Sequence, residues 1–266
     1  MDKNKLKKGV HTFVICAYKE SEYLEECIKS LLAQTLKSEI IMITSTPNEY
    51  IKELSQRYDI PLIINEGEGG IAQDWNFGIE QTDSDYVTIA HQDDVYEPDY
   101  LREVMKRMFH RPDTLIAFTD YGEIRDGCKV LKSKMLTVKR LLLLPLRIKL
   151  FQNSKLIKRR ILSLGNPICC PSVTYSMKKL EKPLFKVQYG SNLDWQTWEN
   201  FAAMEGDFVY VNEPLMFHRI HEESTTSGLI KTNDRAREDR DMLNHFWPEP
   251  IANIISKVYG QGEKLN

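Results

Sequence analysis

The sequence predicts an α/β fold, a mixed, mainly parallel sheet flanked by helices. Three observations lead there. Short β-branched, apolar runs alternate with stretches of helical period between Val10 and Thr119, which implies right-handed strand–helix–strand crossovers. One run, Tyr86-Val87-Thr88-Ile89-Ala90, ends abruptly in His91-Gln92-Asp93-Asp94, and open parallel sheets bind ligands at such carboxyl ends. A chain of 266 residues, 42% hydrophobic and 28% charged, suits one large α/β domain, with room for an insertion, and not a disordered polymer.

The elements follow in order. Val10 to Ala17 reads as a buried first strand centred on Phe13, Val14 and Ile15. Tyr18-Lys19-Glu20-Ser21 breaks the pattern, and Ser21 is placed to cap a helix from Glu22 to Gln34 with Leu24, Ile28, Leu31 and Leu32 at helical spacing. Glu39 to Thr44 is a second strand, followed by a polar loop through Ser45, Thr46, Pro47 and Asn48. A helix from Glu49 to Tyr58 and a short strand, Leu62-Ile63-Ile64, come next. Gly67, Gly69 and Gly70 mark a loop before a helix from Ile71 to Gln81. Tyr86 to Ala90 is the fourth strand, Tyr100 to Phe109 a helix, and Thr114 to Thr119 another strand.

This order brings Ala17 to Glu20, Thr44 to Thr46 and His91 to Asp94 to one edge of the sheet, three polar loops suited to a nucleotide. The glycine run is neither GxGxxG nor a P-loop, which argues against a dinucleotide or ATPase site. Asp93 and Asp94 offer hard oxygen ligands for Mg²⁺ or Mn²⁺, which would bridge to nucleotide phosphates. The alternative is that they only start a turn and cap the helix after Pro98.

From Cys128 to Leu180 the character changes: there is no Asp or Glu, while Lys139, Arg140, Arg147, Lys149, Lys155, Lys158, Arg159 and Arg160 lie among leucines and isoleucines. Two amphipathic helices around Pro145 and Asn153 are expected. One reading packs their apolar face on the sheet and solvates the basic face. A second gives residues 138–162 a peripheral contact with an anionic membrane, or makes them a bed for an acceptor bearing pyrophosphate. Nucleic acid is a weaker third, since no aromatic platform interleaves the charges.

A formal charge of -2 gives no global pull toward nucleic acid. The five cysteines, Cys16, Cys27, Cys128, Cys169 and Cys170, form no CxxC pair or zinc spacing. Vicinal Cys169-Cys170 cannot readily bridge without strain, so free thiols in a reducing cytoplasm are the simpler account. The basic N-terminus lacks a signal peptide's apolar stretch, and no run reaches the ~18 to 20 apolar residues needed to cross a bilayer. A cytoplasmic protein, either soluble or peripheral on the inner face of the cytoplasmic membrane, is expected.

Several segments resemble the family 2 glycosyltransferases, inverting enzymes of the GT-A fold (Rossmann-like, nucleotide-diphospho-sugar transferases). Val14-Ile15-Cys16-Ala17-Tyr18-Lys19-Glu20 is similar to the family's V-P-x-Y-N-E, with Ala17 and Lys19 as departures. The run from Tyr23 to Thr35 matches L-x-x-x-I-x-S-L-x-x-Q-T, and Gly69 to Ile79 matches G-x-x-x-A-x-N-x-G-I. His91-Gln92-Asp93-Asp94 stands where the family has D-x-D-D, with His91 replacing the first Asp. After the second strand, Thr44-Ser45-Thr46 replaces the usual carboxylate, though hydroxyls still bond a base edge or ribose. Leu193-Asp194-Trp195-Gln196-Thr197-Trp198 resembles E-D-x-x-x-W, and Glu213 to Ser227 resembles the closing E-P-L-x-x-Y-R-x-H-x-x-S-x-T. Asn166 to Ser172 resembles the segment lining the acceptor site.

The resemblance implies roles. Asp194 becomes the general base, although it is equally well placed to cap the helix from Trp195 to Met204. Donor contacts fall to Ala17, Tyr18, Glu20, Thr44, Ser45, Asp74, Asn76, Gln92 and Arg219, and acceptor contacts to Cys170, Trp195 and Trp198. Asp93, then Asp94 and His221, would hold Mn²⁺ or Mg²⁺. The implied organisation is one continuous GT-A domain: a nucleotide-sugar half over 1–127, a basic amphipathic helical insert over 128–165, and an acceptor half with C-terminal helices over 166–266. The implied reaction moves a sugar from a nucleotide-sugar donor to a glycan or lipid-linked acceptor in bacterial surface polysaccharide synthesis. The competing classes are a degenerate sugar-nucleotide-binding module, suggested by the departures at His91 and Thr44 to Thr46, and a membrane-associated scaffold, favoured if the basic insert binds lipid and no donor binds.

Overall fold

The structure is a computed structural model and describes residues 4–221 and 234–263. Nine strands among these residues form one sheet. Its first block is built from β1 (His11–Cys16), β2 (Glu39–Thr44), β3 (Leu62–Ile64) and β4 (Tyr86–His91). The order is β3-β2-β1-β4 with every pair parallel. Helices α1 (Leu24–Leu32), α2 (Glu49–Arg57) and α3 (Ile71–Glu80) make the crossovers. Because β1 lies between β2 and β4, the chain winds one way and then the other from it. That reversal opens a crevice past the carboxyl ends of β1 and β4.

The second block is mixed. Beyond β4 come β8 (Val173–Ser176), antiparallel to both neighbours, then β6 (Thr114–Arg125), β9 (Asp207–Ile220) and β5 (Val95–Tyr96). β6 and β9 run parallel, and β7 (Cys128–Val130) folds back on β6. β6 extends well past the expected Thr119. Its residues Asp120, Tyr121, Gly122 and Glu123, beyond that expected end, are all buried, with Asp120 bound by Arg140 and Glu123 by Arg125. Register shifts around Thr119 to Tyr121 bend the ladder there. Gly122 is required at that bend, since a Cβ would meet the Phe217 ring at 2.6 Å. A Cβ on Gly78 would likewise meet Val14 at 2.5 Å, so α3 can lie this close to β1 only with glycine there.

The apolar core forms two clusters. One holds Val14, Ile43, Ile89, Phe118, Trp195 and Trp198, the other Phe13, Ile15, Leu24, Ile28, Tyr96 and Met105. The parity of β1 explains the division: Val14 points one way, Phe13 and Ile15 the other. α1 starts later than Ser21 suggested; Tyr23 is its cap, without a side-chain capping bond to the first turn. Asn48 does cap α2, accepting from Ile51 N–H at 2.9 Å. α4 (Tyr100–Phe109) covers the second cluster.

The segment between β7 and β8 forms α5 (Lys134–Leu143), two 3₁₀ turns (Leu144–Arg147 and Lys149–Phe151) and α6 (Lys155–Ile161). It is not simply an apolar face below and a basic face above. Lys158, expected on the basic face, is fully buried: its Nζ donates to Met204 O at 2.8 Å and Gly206 O at 2.7 Å. α7 (Leu193–Ala202) follows, then α8 (Asp234–Asn244) and α9 (Glu249–Glu263). All five cysteines are free thiols. No described helix is long and apolar enough to cross a membrane.

Candidate active site

The crevice is stitched together by side chains the sequence had singled out. Past β1 and β4, Tyr18 N–H donates to Gln92 Oε1 at 2.9 Å and Gln92 Nε2 donates to Tyr18 O at 3.0 Å. The Gln92 amide therefore acts as one more ladder rung between the two loops. Lys19 takes a left-handed backbone (φ 53°) and its N–H donates to Thr46 Oγ1 at 2.6 Å. Thr44 is buried, and its hydroxyl accepts from Thr46 N–H at 3.0 Å, closing the turn after β2. Ser45 Oγ donates to Asp74 Oδ2 at 2.7 Å, while Asn65 Nδ2 donates to Asp74 Oδ1 at 2.8 Å. A carboxylate thus reaches the β2 loop from α3, although none follows β2 in sequence. Ala17 is buried, Tyr18 is 50% exposed, and Glu20 stands exposed on the lip.

Asn76 and Arg219 are engaged elsewhere. Asn76 exchanges two bonds with the Phe185 backbone, at 2.7 and 3.0 Å, and so pins the segment after the Lys182–Pro183 bond. Arg219 is 7% exposed, donates from Nε to Asp93 O at 2.9 Å, pairs with Glu26 and lies 4.4 Å over the Tyr23 ring. Its charge supports the backbone of the Asp93 turn.

That turn carries the acids. Asp94 is fully buried, and its Oδ1 accepts from Arg219 N–H and from His218 Nδ1, both at 2.9 Å. Burial alone would drive His218 toward its neutral form, but the Asp94 charge and hydrogen bond outweigh it and raise the imidazole's pKa. Asp94 is thereby tied to β9. Asp93 Oδ2 pairs with His221 Nε2 at 3.0 Å. Its burial pushes the carboxyl upward, but the His221 bond and the charges of His218 and His91 win and lower it. His91 stacks on Trp75 (centroids 4.9 Å apart, 25° between planes), and burial lowers its pKa.

His91, Asp93 and Asp94 each offer one ligand atom within 4.8 Å of the others. Asp94 Oδ2 and His91 Nε2 are both buried with no hydrogen-bond partner, and an imidazole nitrogen with carboxylate oxygens is a donor set for a divalent cation. The residues present therefore fit a metal. His91, read in the sequence only as a departure from an acid, joins that group, whereas His221 stands behind Asp93.

Asp194 sits in the first turn of α7. Its Oδ1 accepts from Trp195 N–H at 2.7 Å and its Oδ2 from Asn166 Nδ2 at 2.8 Å. Burial raises its pKa against the lowering by Trp195 N–H, Arg235, Asn166 and Lys139. Its charge is felt at His91, and the Cys169 thiol feels both Asp94 and Asp194. The acids near 93 and 194, far apart in sequence, thus share one neighbourhood.

Trp195 and Trp198 do not wall an acceptor site: both are 0% exposed. Trp195 Nε1 donates to Leu162 O at 3.1 Å, and Trp198 stacks on Tyr175 within the core. Two tryptophans three residues apart on a helix are one buried stripe. Cys170 is also buried, 6% exposed, beside the Tyr175 hydroxyl. Ser224, Thr225, Thr226 and Ser227 lie outside the described residues.

The sequence reading placed Lys139 only among the cations of the basic insert, and it missed Glu238 and Asp239. Lys139 on α5 donates to Tyr121 OH at 2.9 Å and lies within electrostatic reach of Asp194, His218 and Cys169. Glu238 on α8 accepts from Gly190 N–H and Ser191 N–H at 2.8 Å, Ser191 Oγ at 2.6 Å and Asn192 N–H at 3.1 Å. Asp239 accepts from Asn192 Nδ2 at 2.7 Å. These acids hold the turn that launches α7, and nothing local to 190–192 signals it.

Comparison with known proteins agrees with this architecture. The family model described as glycosyl transferase family 2 matches residues 12–182, so Asp194, Arg219 and His221 lie beyond the matched span. Glycosyltransferase GlyA of Streptococcus pneumoniae is 29% identical over 102 residues, 36% of this chain and 15% of that protein. GlyG of the same organism is 25% identical over 41% of this chain and 38% of its own length. The chain thus spans well under two thirds of these two curated relatives. An uncharacterized glycosyltransferase of Haemophilus influenzae is 25% identical over 80% of this chain and 66% of its own. Among solved structures, residues 1–349 of Staphylococcus aureus TarS with UDP-GlcNAc give a TM-score of 0.63 at 15% identity, covering 93% of this chain and 70% of that one. The mannosyltransferase PcManGT of Pyrobaculum calidifontis, with GDP-Man and Mn²⁺, gives 0.61 at 15% identity, covering 95% and 70%.

Proposed function

The chain belongs to glycosyl transferase family 2, and from that premise we propose that it is an inverting glycosyltransferase. In this reading it moves a sugar from a nucleotide-diphosphate sugar to a hydroxyl of a glycan or lipid-linked acceptor. The observation that carries the reading is Asp194, a carboxylate whose basicity burial raises, within electrostatic reach of His91 beside Asp93 and Asp94. TarS and PcManGT, solved with UDP-GlcNAc and with GDP-Man and Mn²⁺, support a nucleotide-sugar donor. The donor half is residues 1–127, the acceptor half 166–266, and 128–165 the insert of one continuous domain.

The mechanism is a single displacement. The acceptor oxygen bonds to the anomeric carbon as the bond from that carbon to the diphosphate oxygen breaks, and Asp194 takes the acceptor proton. Attack opposite the leaving group inverts the anomeric configuration. Asn166 and the Trp195 N–H orient the carboxylate toward the acceptor. Ser45, its proton directed at Asp74, presents oxygen lone pairs to a base or ribose donor. Tyr18 and Gln92 keep the two crevice loops together. A divalent cation, Mn²⁺ or Mg²⁺, held by Asp93 with His91 and Asp94, would supply positive charge against the leaving diphosphate.

The enzyme serves bacterial surface polysaccharide synthesis in this reading, at the inner face of the cytoplasmic membrane. A thermal-shift screen of UDP-, GDP-, dTDP- and CMP-sugars with Mn²⁺ selects the donor, and proton NMR of the transfer product reads its anomeric configuration. Retained configuration, or no donor that either raises the melting temperature or turns over, overturns the proposal.

A further inference from the structure

α5 faces two ways. Its inner face carries Leu136 and Leu143 into the core, with Leu146 just beyond. Arg140 anchors that face by bonds to Asp120 Oδ2 at 2.8 Å and Tyr121 O at 3.0 Å. The core is therefore filled without the remaining apolar residues. Val138 is 52% exposed, Leu141 58% and Leu144 42%, on the opposite face at a spacing of three. The following turns add Ile148 at 52% and Leu150 at 82%, and α6 adds Leu156 at 75%. Folded proteins seldom leave such a succession of large aliphatic side chains in water without a partner for it.

The charges around this ridge identify the partner. Lys132, Lys134, Arg147 and Lys149 are exposed beside it, and no acidic residue occurs from Cys128 to Leu180. An apolar ridge bordered by cations, with no carboxylate in its own segment and the neighbouring Glu205 paired with Lys155, is what an anionic bilayer surface takes up: aliphatic tips enter the acyl boundary while ammonium groups meet phosphate. A protein partner would need an equally one-sided acidic rim.

We propose that the exposed face of 132–156 docks on a bilayer of anionic phospholipid. The proposal deepens, and rests on, the reading of transfer to a membrane-borne acceptor. It also explains the insert's second face. Lys139, next in sequence to Val138, reaches the Tyr121 hydroxyl and the electrostatic surroundings of Asp194. One helix therefore carries both the exposed aliphatic residues and the lysine that bonds the Tyr121 hydroxyl.

The test is co-sedimentation of the full chain with vesicles of phosphatidylcholine alone and of phosphatidylcholine mixed with phosphatidylglycerol. Binding to the mixture, none to phosphatidylcholine alone, and weakening by added salt are expected. Leu150→Glu with Leu156→Glu should lower the partition coefficient by at least about tenfold, since each leucine removed from the acyl boundary costs that order. Lys132→Gln with Lys149→Gln should lower it less and flatten the salt dependence. Both pairs are exposed, and unchanged melting curves confirm that the variants fold. Equal sedimentation of the leucine variant and the wild type overturns the proposal, as does equal affinity for both vesicle types. A wild-type dimer in solution that the leucine variant disperses overturns it too, assigning the ridge to a second copy. Anionic vesicle binding without turnover of any nucleotide sugar keeps this surface and removes the transferase reading.

Discussion

His221 Nε2 lies 3.0 Å from Asp93 Oδ2, so the residue that directly follows β9 orients the carboxylate in the loop after β4. Arg219, two residues earlier, fixes the Asp93 carbonyl, and His218 fixes Asp94. The end of β9 is thus a brace for the acidic turn. His221→Ala should weaken the Mn²⁺ dependence of donor turnover about 10- to 100-fold, as loss of a group orienting a metal ligand does. Asp93→Ala should remove the gain in donor affinity that Mn²⁺ confers. Donor titrations with Mn²⁺ and with EDTA check both, and an Asp93→Ala protein that still responds to Mn²⁺ places the ion elsewhere.

Asp194→Asn keeps the size and most bonding capacity of the side chain but cannot accept a proton. Transfer should fall by about 10²- to 10⁴-fold, the usual worth of a general base, with donor affinity retained. The wild-type acid limb of kcat/KM should lie above the ordinary carboxylate range, because burial raises the Asp194 pKa. Activity should rise as pH climbs through that pKa and the base loses its proton. The same burial makes the charged carboxylate unfavourable to the fold, which offsets the acceptor that a carboxamide withdraws from Asn166 Nδ2, so the asparagine variant should melt close to the wild type at neutral pH. A variant that transfers sugar at the wild-type rate would release Asp194 from this role.

Glu238→Gln tests whether the base is held from α8. The carboxylate takes four hydrogen bonds from 190–192, and a carboxamide can accept on one oxygen only. A loss of about 1–3 kcal/mol is expected for the donors left without a partner. Burial raises the Glu238 pKa, but the bonds from Ser191, Gly190 and Asn192 prevail and lower it. The folded-state pKa is then below the unfolded one. Its stabilisation is present above the unfolded carboxyl pKa and is lost as pH falls through the folded value. Wild type should therefore lose more stability on acidification than the variant, whose side chain does not titrate. Because α7 shifts with its first turn, kcat should drop while donor KM holds. A variant with reduced melting temperature and unchanged kcat would confine Glu238 to stability.

Much of the donor half was legible because its signals are local. The apolar runs Glu39–Thr44 and Leu62–Ile64 and the helix Tyr100–Phe109 have the bounds their sequences suggest, each stopped by turn residues. The second block was not. Strand β6 runs past the expected Thr119 through Asp120 to Glu123 because polar side chains there find partners that no spacing rule reveals, Arg140 being 20 residues away. Trp195 and Trp198 looked like sugar walls and are core, since residue type alone cannot separate a buried stripe from an exposed one. Glu238 was invisible because its ligands lie 46 to 48 residues upstream. Local periodicity carries elements, while sites assembled from distant segments need the fold.

Lys158 gives the last prediction, one of stability alone. It is fully buried, its Nζ bonds two carbonyls, and it lies 5.2 Å over the Phe208 ring. Burial lowers its pKa to about 8, with the Glu205 and Asp207 charges opposing. The unfolded lysine, near the ordinary value of about 10.4, binds its proton more tightly than the folded one. Between these two values the unfolded chain carries more protons, so stability rises with pH there. This increment should appear in wild type and be absent from Lys158→Met, in urea melts compared between pH 8 and pH 10. Lys158→Ala should cost about 2–4 kcal/mol at pH 7, from the cavity and from leaving Met204 O and Gly206 O without a donor. An alanine variant as stable as wild type would mean water replaces the ammonium group between those carbonyls.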